Sequence, residues 1–294
     1  MRRALLGFSG LIGLLVYLGS ATVPAAPVKP IKPFNIPVNT EADEDDPHVS
    51  DGGLTLYWTS NQTKKDDIWF TRRRTANLAW PKKGQIIEDY VTTEGDDRSV
   101  FATVGRYPHF LYFATKKDKK SKNYDLFVAV RHDDGKAWAA PTPVANVNTP
   151  EDELYPWISG DGKALYFSRK TKEGWRQFVT KRANSMGPQG WDEPEALDLP
   201  VNFHHACLTP DGKTMFLQGP LEDGRTGLFT CKREGNVWSQ PEAIEALNSK
   251  EGKRGDRSPN LSRDGRLLYF ASDRPDGKGG LDLWGVPVAD LLKK

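Results

Sequence analysis

The sequence predicts an all-β protein, a five-bladed β-propeller whose blades are four-stranded antiparallel sheets. A tight-turn motif recurs along the chain in steps of 50 to 56 residues, and each copy leads into an alternating run rich in aromatic residues. The 294 residues also include 27 Gly, 21 Pro and 9 Trp. Many turn formers combined with many aromatic residues favour short strands joined by tight turns. Repeats of this length that each hold four strands are typical of propeller blades.

The composition excludes several other classes of protein. Aromatic residues make up 11% of the chain, so it has enough apolar surface to bury a core and is not disordered. Two Cys cannot form a disulfide scaffold. Lys and Arg number 41 against 39 Asp and Glu, so the chain has no basic excess. We therefore expect no nucleic-acid partner, because such binding relies on a positive surface.

The first 25 residues have the pattern of a secretory signal peptide. Arg2 and Arg3 precede an apolar run from Ala4 to about Leu18, and Val23-Pro24-Ala25 places small residues around a cleavage site before Ala26. This pattern predicts an exported protein, periplasmic or extracellular, with residues 26–294 forming a single domain. The alternative is an uncleaved membrane anchor. The apolar run is shorter than the ~20 residues that a membrane-spanning helix needs.

The turn motif is Asp-Gly preceded by a Ser or Thr, which stands two residues before the Asp in three copies and directly before it at Ser50. Its clear copies occupy Ser50–Trp58, Ser159–Phe167, Thr209–Leu217 and Ser262–Phe270, while Gly105-Arg106 stands in a degenerate copy. In each turn Gly supplies a positive φ and Asp caps its own backbone. Two more strands follow in each unit, the second beyond a Trp that precedes a Pro. The predicted blades lie near residues 46-97, 98-153, 154-203, 204-255 and 256-287.

This pattern, S-x-D-G-x-x-L-Y-F followed by D-L-W, resembles the WD-like propeller repeat of secreted bacterial TolB-type proteins. The resemblance covers roughly residues 31–287. The sequence departs from the pattern in the second blade, which lacks Asp-Gly, and in the fourth blade, where Gly227 stands in place of an Asp. The resemblance implies a binding module, expected here to be a monomer, that recognises a protein or cell-envelope ligand at the mouth of a central channel.

The last unit ends after three strands, and the N-terminal segment matches the missing part. Asn39-Thr40-x-x-Asp43-Glu44 recurs as Asn148-Thr149-x-x-Asp152-Glu153 with identical spacing. Residues 32–38 therefore have the sequence of an outer strand with no preceding blade. We expect this segment to pair with the last blade and close the ring, because an open ring would expose an unpaired edge.

In such blades the loop that enters the innermost strand lies at the channel mouth, so its residues are the candidate ligand site. One group is an acidic residue that recurs from blade to blade, and recurrence favours an architectural role. The other group breaks the repeat, and its two arginines suit bidentate binding of a carboxylate. The recurrent acids proposed as candidates are Asp97, Glu153 and Asp256, and the repeat-breaking candidates are Arg98, Arg257, His204, His205 and Tyr155.

Catalysis, metal binding and cofactors have weaker support. The channel acids occupy equivalent positions, whereas a glycosidase needs two carboxylates in unlike environments. A binding protein is therefore favoured over an enzyme, and no catalytic residue, cofactor or metal is expected. Adjacent His204 and His205 should point to opposite faces of a strand. The alternative is a carbohydrate-binding or glycan-cleaving propeller, which a deep aromatic-lined pocket would favour.

The two cysteines are predicted to stay unpaired. Cys207 falls on the first strand of the fourth unit and Cys231 on the third. Two strand spacings of ~4.8 Å exceed the ~7 Å Cα separation that a disulfide permits.

Overall fold

The computed structural model describes residues 30–50, 52–88, 90–103, 108–133, 137–183 and 187–292. The predicted signal peptide and the turn residues Asp51, Gly105 and Arg106 lie outside this part of the chain. Within it, 21 strands form five antiparallel sheets, and one four-residue helix follows the last strand. The predicted all-β, five-bladed propeller is confirmed.

Each blade uses consecutive strands, ordered from the channel outward. A short strand, β1 (Phe34–Asn35), precedes the first blade, which contains β2 (Glu44–Ser50), β3 (Thr55–Ser60), β4 (Asp67–Arg72) and β5 (Gln85–Ile86). The second contains β6 (Asp97–Ala102), β7 (His109–Thr115), β8 (Asp125–Arg131) and β9 (Thr142–Pro143). The third contains β10 (Glu153–Ile158), β11 (Ala164–Lys170), β12 (Trp175–Lys181) and β13 (Glu195–Ala196).

The last two blades vary this plan. The fourth contains β14 (His204–Leu208), β15 (Thr214–Pro220), β16 (Thr226–Glu234), β17 (Val237–Trp238) and β18 (Glu242–Ala243), with both short strands paired to β16. The fifth contains β19 (Asp256–Leu261), β20 (Leu267–Ser272) and β21 (Asp282–Pro287), followed by α1 (Val288–Leu291). Its outer position is filled by β1, which runs antiparallel to β21, while β19 contacts β2 of the first blade.

The recurring turn is held by its own side chains. Ser159 Oγ donates to Asp161 Oδ1 at 2.5 Å and accepts from the Ala164 N–H at 2.9 Å. Asp161 in turn accepts from the Lys163 N–H at 3.0 Å, and Gly162 has a φ of +71°. The turns at Thr209 and Ser262 repeat these bonds. The Ser or Thr before Asp-Gly is thus a structural part of the turn.

Five apolar clusters hold the sheets together. Cys207 belongs to one of them and Cys231 to another, and both thiols are free and buried. In four blades an arginine that follows or ends the third strand stacks on the Trp near the outer strand; the pairs are Arg73 with Trp80, Arg131 with Trp138, Arg182 with Trp191 and Arg233 with Trp238. Within the described residues, no helix is both long and apolar enough to cross a bilayer.

Candidate functional site

All five inner strands carry a β-bulge near their first residues. The bulge places a residue other than Gly in the left-handed region, with φ between 51° and 60°: Asp46, Ser99, Tyr155, His205 and Ser258. This conformation is uncommon for residues other than Gly, more so for Ser and Tyr than for Asp and His, and its recurrence in all five blades shows that the bulge imposes it. These bulge residues and the residue before each of them lie at one end of the channel, and we call this group the mouth cluster.

The bulge overturns the expectation that His204 and His205 point to opposite faces. The ring of Tyr155 stacks on His205 at a centroid distance of 3.9 Å and lies 5.7 Å from His204. Trp175 stacks on the other imidazole, His204, at 5.2 Å. Burial lowers the pKa of His205 to about 3 and also lowers the pKa of His204. Both imidazoles are therefore neutral near pH 7.

Arg98 is held by three carboxylates of the first blade. Its guanidinium lies 3.2 Å from Asp45, 2.9 Å from Asp46 and 3.2 Å from Asp66. Asp46 also accepts hydrogen bonds from Ser99 Oγ at 2.9 Å and from the hydroxyls of Thr59 and Ser258 at 3.1 Å. With its charge neutralised and its donors used inside the protein, Arg98 joins blades one and two.

The two adjacent acids of this network have pKa values shifted in opposite directions. Burial acts to raise the pKa of Asp45, but Arg257 and Arg98 outweigh it and hold that pKa below its usual range. Burial raises the pKa of Asp46, more than Arg98 lowers it, and the neighbouring Asp45 adds to the rise. Asp45 is therefore the firmly ionised member of the pair.

Arg257 holds the position in the fifth blade that Arg98 holds in the second, but its surroundings differ. Its Nε lies 3.7 Å from Asp45, it has no hydrogen-bond partner at Nε among the described residues, and its side chain is 24% exposed. The proximity of Asp45 raises its pKa, so it is charged. Sequence reasoning treated the two arginines alike, since both stand in an Asp-Arg-Ser triplet.

The recurrent acids Asp97, Glu153 and Asp256 are buried and anchor the loop that precedes each inner strand. Asp97 accepts from the Thr93 N–H at 2.7 Å, Glu153 from the Thr149 N–H at 3.0 Å, and Asp256 from the Ser249 N–H at 2.6 Å. Arg169 and Arg274 bind the last two acids. The structure thus brings together five of the eight predicted residues, and places these three in architectural contacts.

A cavity of about 390 Å³ opens at the opposite end of the channel, where the inner strands run into the Asp-Gly turns. His48, Phe101 and Trp157 line it from three successive blades, with ring centroids 4.5 Å and 6.3 Å apart. Arg182 and Asp161 contribute polar groups to its wall. We call this space the turn-end cavity.

The sequence analysis missed this cavity, although a signal for it exists. One position on the inner strands differs from blade to blade. It lies four residues after the position of the recurrent acid and is occupied by His48, Phe101, Trp157, Cys207 and Asn260. The next residue is aliphatic in all five blades. Three of the varying residues, His48, Phe101 and Trp157, line the turn-end cavity, and so do all five of the aliphatic residues that follow this position.

The acidic residues are distributed differently at the two ends of the channel. Among the described residues that line the turn-end cavity, Asp161 is the only acid, and it is engaged in its own turn. At the mouth cluster, the two acids at the bulge, Asp45 and Asp46, come from a single blade. No group of three His, Cys, Asp or Glu within the described ranges is placed to hold a metal ion.

No protein-family model matches the chain, and no curated protein matches it in sequence. Solved structures do match in fold. A GH43_1 enzyme from Xanthomonas citri aligns with a TM-score of 0.60 and 15% identity over 87% of this chain and 91% of that one. A GH62 hydrolase in complex with xylotriose aligns with a TM-score of 0.58 and 13% identity over 88% and 94%.

An endo-arabinase from Bacteroides thetaiotaomicron aligns with a TM-score of 0.55 and 16% identity over 86% of this chain and 96% of that chain. TolB from Acinetobacter baumannii also matches, with a TM-score of 0.49 and 12% identity over 84% of this chain and 54% of that one, which is too distant to support an argument. At these identities the likeness concerns the fold, and the chain is similar to five-bladed propellers of glycoside hydrolases in architecture.

Proposed function

We propose that this chain is a glycan-binding β-propeller that does not cleave its ligand, and that a sugar occupies the turn-end cavity. The observation that carries the proposal is the combination of volume and lining in that cavity. Its ~390 Å³ falls within the ~300–1,000 Å³ of small-ligand sites. Aromatic rings from three blades provide apolar faces beside polar groups at the wall.

This lining matches the chemistry of a sugar ring, which has C–H faces and a polar edge. Phe101 and Trp157 are half-buried, so part of each aromatic ring stays accessible. Asp161 uses its Oδ1 within its turn, and its Oδ2 offers an acceptor at the edge of the same space. Neighbours of this fold supply supporting context, since one was solved with xylotriose and another, an α-L-arabinofuranosidase from Podospora anserina, with cellotriose.

Binding without cleavage follows from the carboxylates. Glycoside hydrolysis in most families requires two carboxyl groups ~5–9.5 Å apart on either side of the scissile bond. Asp161 is a single acid, and the hydrogen bonds from Ser159 and Lys163 lower its pKa, so it is not a proton donor near pH 7. The ligand is therefore expected to leave the cavity unchanged.

The test is a calorimetric titration of the protein with xylotriose, cellotriose and arabino-oligosaccharides, which measures the affinity for each. Trp157→Leu should weaken binding by up to about tenfold, because it removes a ring face worth ~0.5–1.5 kcal/mol. Trp69→Leu is the matched control, since Trp69 is also half-buried but lies on the third strand, outside the cavity lining.

The control should bind within twofold of the unmodified protein. Equal binding by Trp157→Leu, or no binding of any oligosaccharide, would contradict the proposal. Release of reducing ends over a long incubation would instead show that the chain is a hydrolase.

A protein or cell-envelope ligand at the mouth cluster is the second candidate, and the partly exposed Arg257 is the observation that favours it. A pull-down from envelope extract with the chain and with an Arg98→Ala/Arg257→Ala variant tests this candidate. Unchanged capture by the variant would remove the mouth from consideration. Export, which we infer from residues 1–25, is tested by sequencing the mature N-terminus, expected at Ala26.

A further inference from the structure

The two mouth arginines form an internal comparison within one protein. Arg98 and Arg257 stand in the same Asp-Arg-Ser triplet and precede the same left-handed bulge residue. Arg98 is 18% exposed and binds three carboxylates at 2.9 to 3.2 Å. Arg257 is 24% exposed, and the described residues provide it with one ion pair, at 3.7 Å. The difference between them must come from the blade that each one faces.

Strand register identifies which residues take the place of the three carboxylates. Arg98 is bound by the preceding blade, the first, and the blade that precedes Arg257 is the fourth. In the first blade Asp45 pairs with Thr59, and Asp66 comes just before the Asp67–Ser60 pair. In the fourth blade the matching pairs are His204 with Gln218 and Gly227 with Gly219. The positions of Asp45, Asp46 and Asp66 are therefore taken by His204, His205 and Thr226.

These replacements leave Arg257 without a counterion from the fourth blade, so that its one ion pair is with Asp45 of the first blade. Burial lowers the pKa of both histidines, so neither carries a charge near pH 7, and Thr226 is uncharged. The Arg257 Nε is buried with no hydrogen-bond partner in the described structure. A buried guanidinium donor without an acceptor is unfavourable, and a carboxylate is the acceptor whose geometry matches its fork.

We propose that the mouth cluster is a binding site for a ligand carboxylate, with Arg257 as the group that binds it. The ligand carboxylate binds the partly exposed guanidinium of Arg257, which the fourth blade leaves without the acidic partners that the first blade gives Arg98. The stacked rings of Tyr155 and His205 form the adjoining wall. This site lies at the opposite end of the channel from the turn-end cavity, so it is independent of the glycan proposal.

The experiment titrates the full chain with two pairs of probes, each pair differing in a carboxylate. Propionate and propionamide test for a plain organic acid, and galacturonate and galactose test for an acidic sugar. We expect at least one carboxylate to raise the melting temperature in a saturable manner, by mass action, while its uncharged partner does not. Whichever acid binds more tightly identifies the source of the carboxylate.

Two variants locate the effect. Arg257→Gln should weaken carboxylate binding about tenfold or more, since it removes the charged donor of the pair. Arg266→Gln is the control, because it makes the same charge change in the same blade at an exposed turn residue. It should bind carboxylates like the unmodified chain.

A gain of charge gives the converse test. His205→Asp recreates the arrangement of Asp46 beside Arg98, so an internal carboxylate should compete with the ligand and abolish the shift. The proposal is overturned if no carboxylate produces a saturable shift at tens of millimolar, if Arg257→Gln binds as well as the unmodified chain, or if His205→Asp leaves binding unchanged.

Discussion

Asn39 offers the sharpest test of whether the N-terminal segment stabilises the ring. Its Nδ2 donates to the Leu283 carbonyl at 2.9 Å, and its Oδ1 accepts from the Leu283 N–H at 2.8 Å. Asn39 is 2% exposed and Leu283 is fully buried, so water cannot replace these bonds. Asn39→Ala removes both bonds and leaves the Leu283 N–H without this partner, while the Leu283 carbonyl keeps its bond from the Ile36 N–H at 3.0 Å.

The expected loss is about 1.5–4.5 kcal/mol, from ~1–3 kcal/mol for the N–H left unsatisfied and ~0.5–1.5 kcal/mol for the bond lost at the carbonyl. Asn148→Ala is the matched variant, because Asn148 makes the same two bonds to Leu126, at 2.8 and 2.9 Å, within one blade. If β1 holds the ring closed, Asn39→Ala should cost at least as much as Asn148→Ala. Asn39→Ala should also weaken the packing of Ile36 and Val38, whose side chains are buried beside it in the N-terminal segment.

Urea unfolding measures the loss, and hydrogen exchange locates it. Exchange should accelerate in β20 and β21 for Asn39→Ala, and around β8 for Asn148→Ala. A loss below about 0.5 kcal/mol for Asn39→Ala, or unchanged exchange in the fifth blade, would refute the closure argument. That threshold is the size of effect expected for a substitution at an ordinary surface position.

Three further predictions concern the mouth cluster and the thiols. Because His205 has a pKa near 3 when folded and ~6.5 when unfolded, the unfolded chain binds the extra proton between these values. The unfolding free energy should therefore fall as the pH drops from about 6.5 toward 3, by at most ~1.4 kcal/mol per pH unit for this residue. His205→Gln should flatten that slope in urea titrations, and an unchanged slope would contradict the role of His205. Asp46→Asn should cost about 1.5–3 kcal/mol in the same assay, since it removes a charged hydrogen-bond acceptor of Arg98 while Asp45 and Asp66 still balance the guanidinium, and a cost under about 0.5 kcal/mol would contradict that role. Cys207 and Cys231 should resist alkylation in the native protein and each gain one label on unfolding, because burial raises the pKa of both thiols; a non-reducing mass two protons low would show a disulfide instead.

The regular part of the fold was predictable because its signals are local. An Asp-Gly turn is specified by a φ preference and by side chains two to five residues apart, as the bonds around Asp161 illustrate. Alternating aromatic runs specify strands in the same way. Repetition then converts several weak local signals into one strong prediction of a propeller.

The candidate site was only partly predictable. Sequence reasoning selected Arg98 and Arg257 together, because they break the repeat in the same way. It could not foresee that one would be neutralised by three acids and the other would face two neutral histidines. It also placed His204 and His205 on opposite faces, since the regular two-residue period of a strand says nothing about a bulge.

The sequence by itself determined the number of repeats, the turn chemistry and the residue types at each mouth position, because these depend on short-range preferences that recur along the chain. Only the tertiary structure decided which side chains meet. The partners of Arg98 lie 32 to 53 residues away, and that of Arg257 lies 212 residues away, so their charge balance depends on the circular order of blades. The turn-end cavity arises in the same way, from rings that are more than 50 residues apart in sequence and become neighbours only when the inner strands converge on one axis.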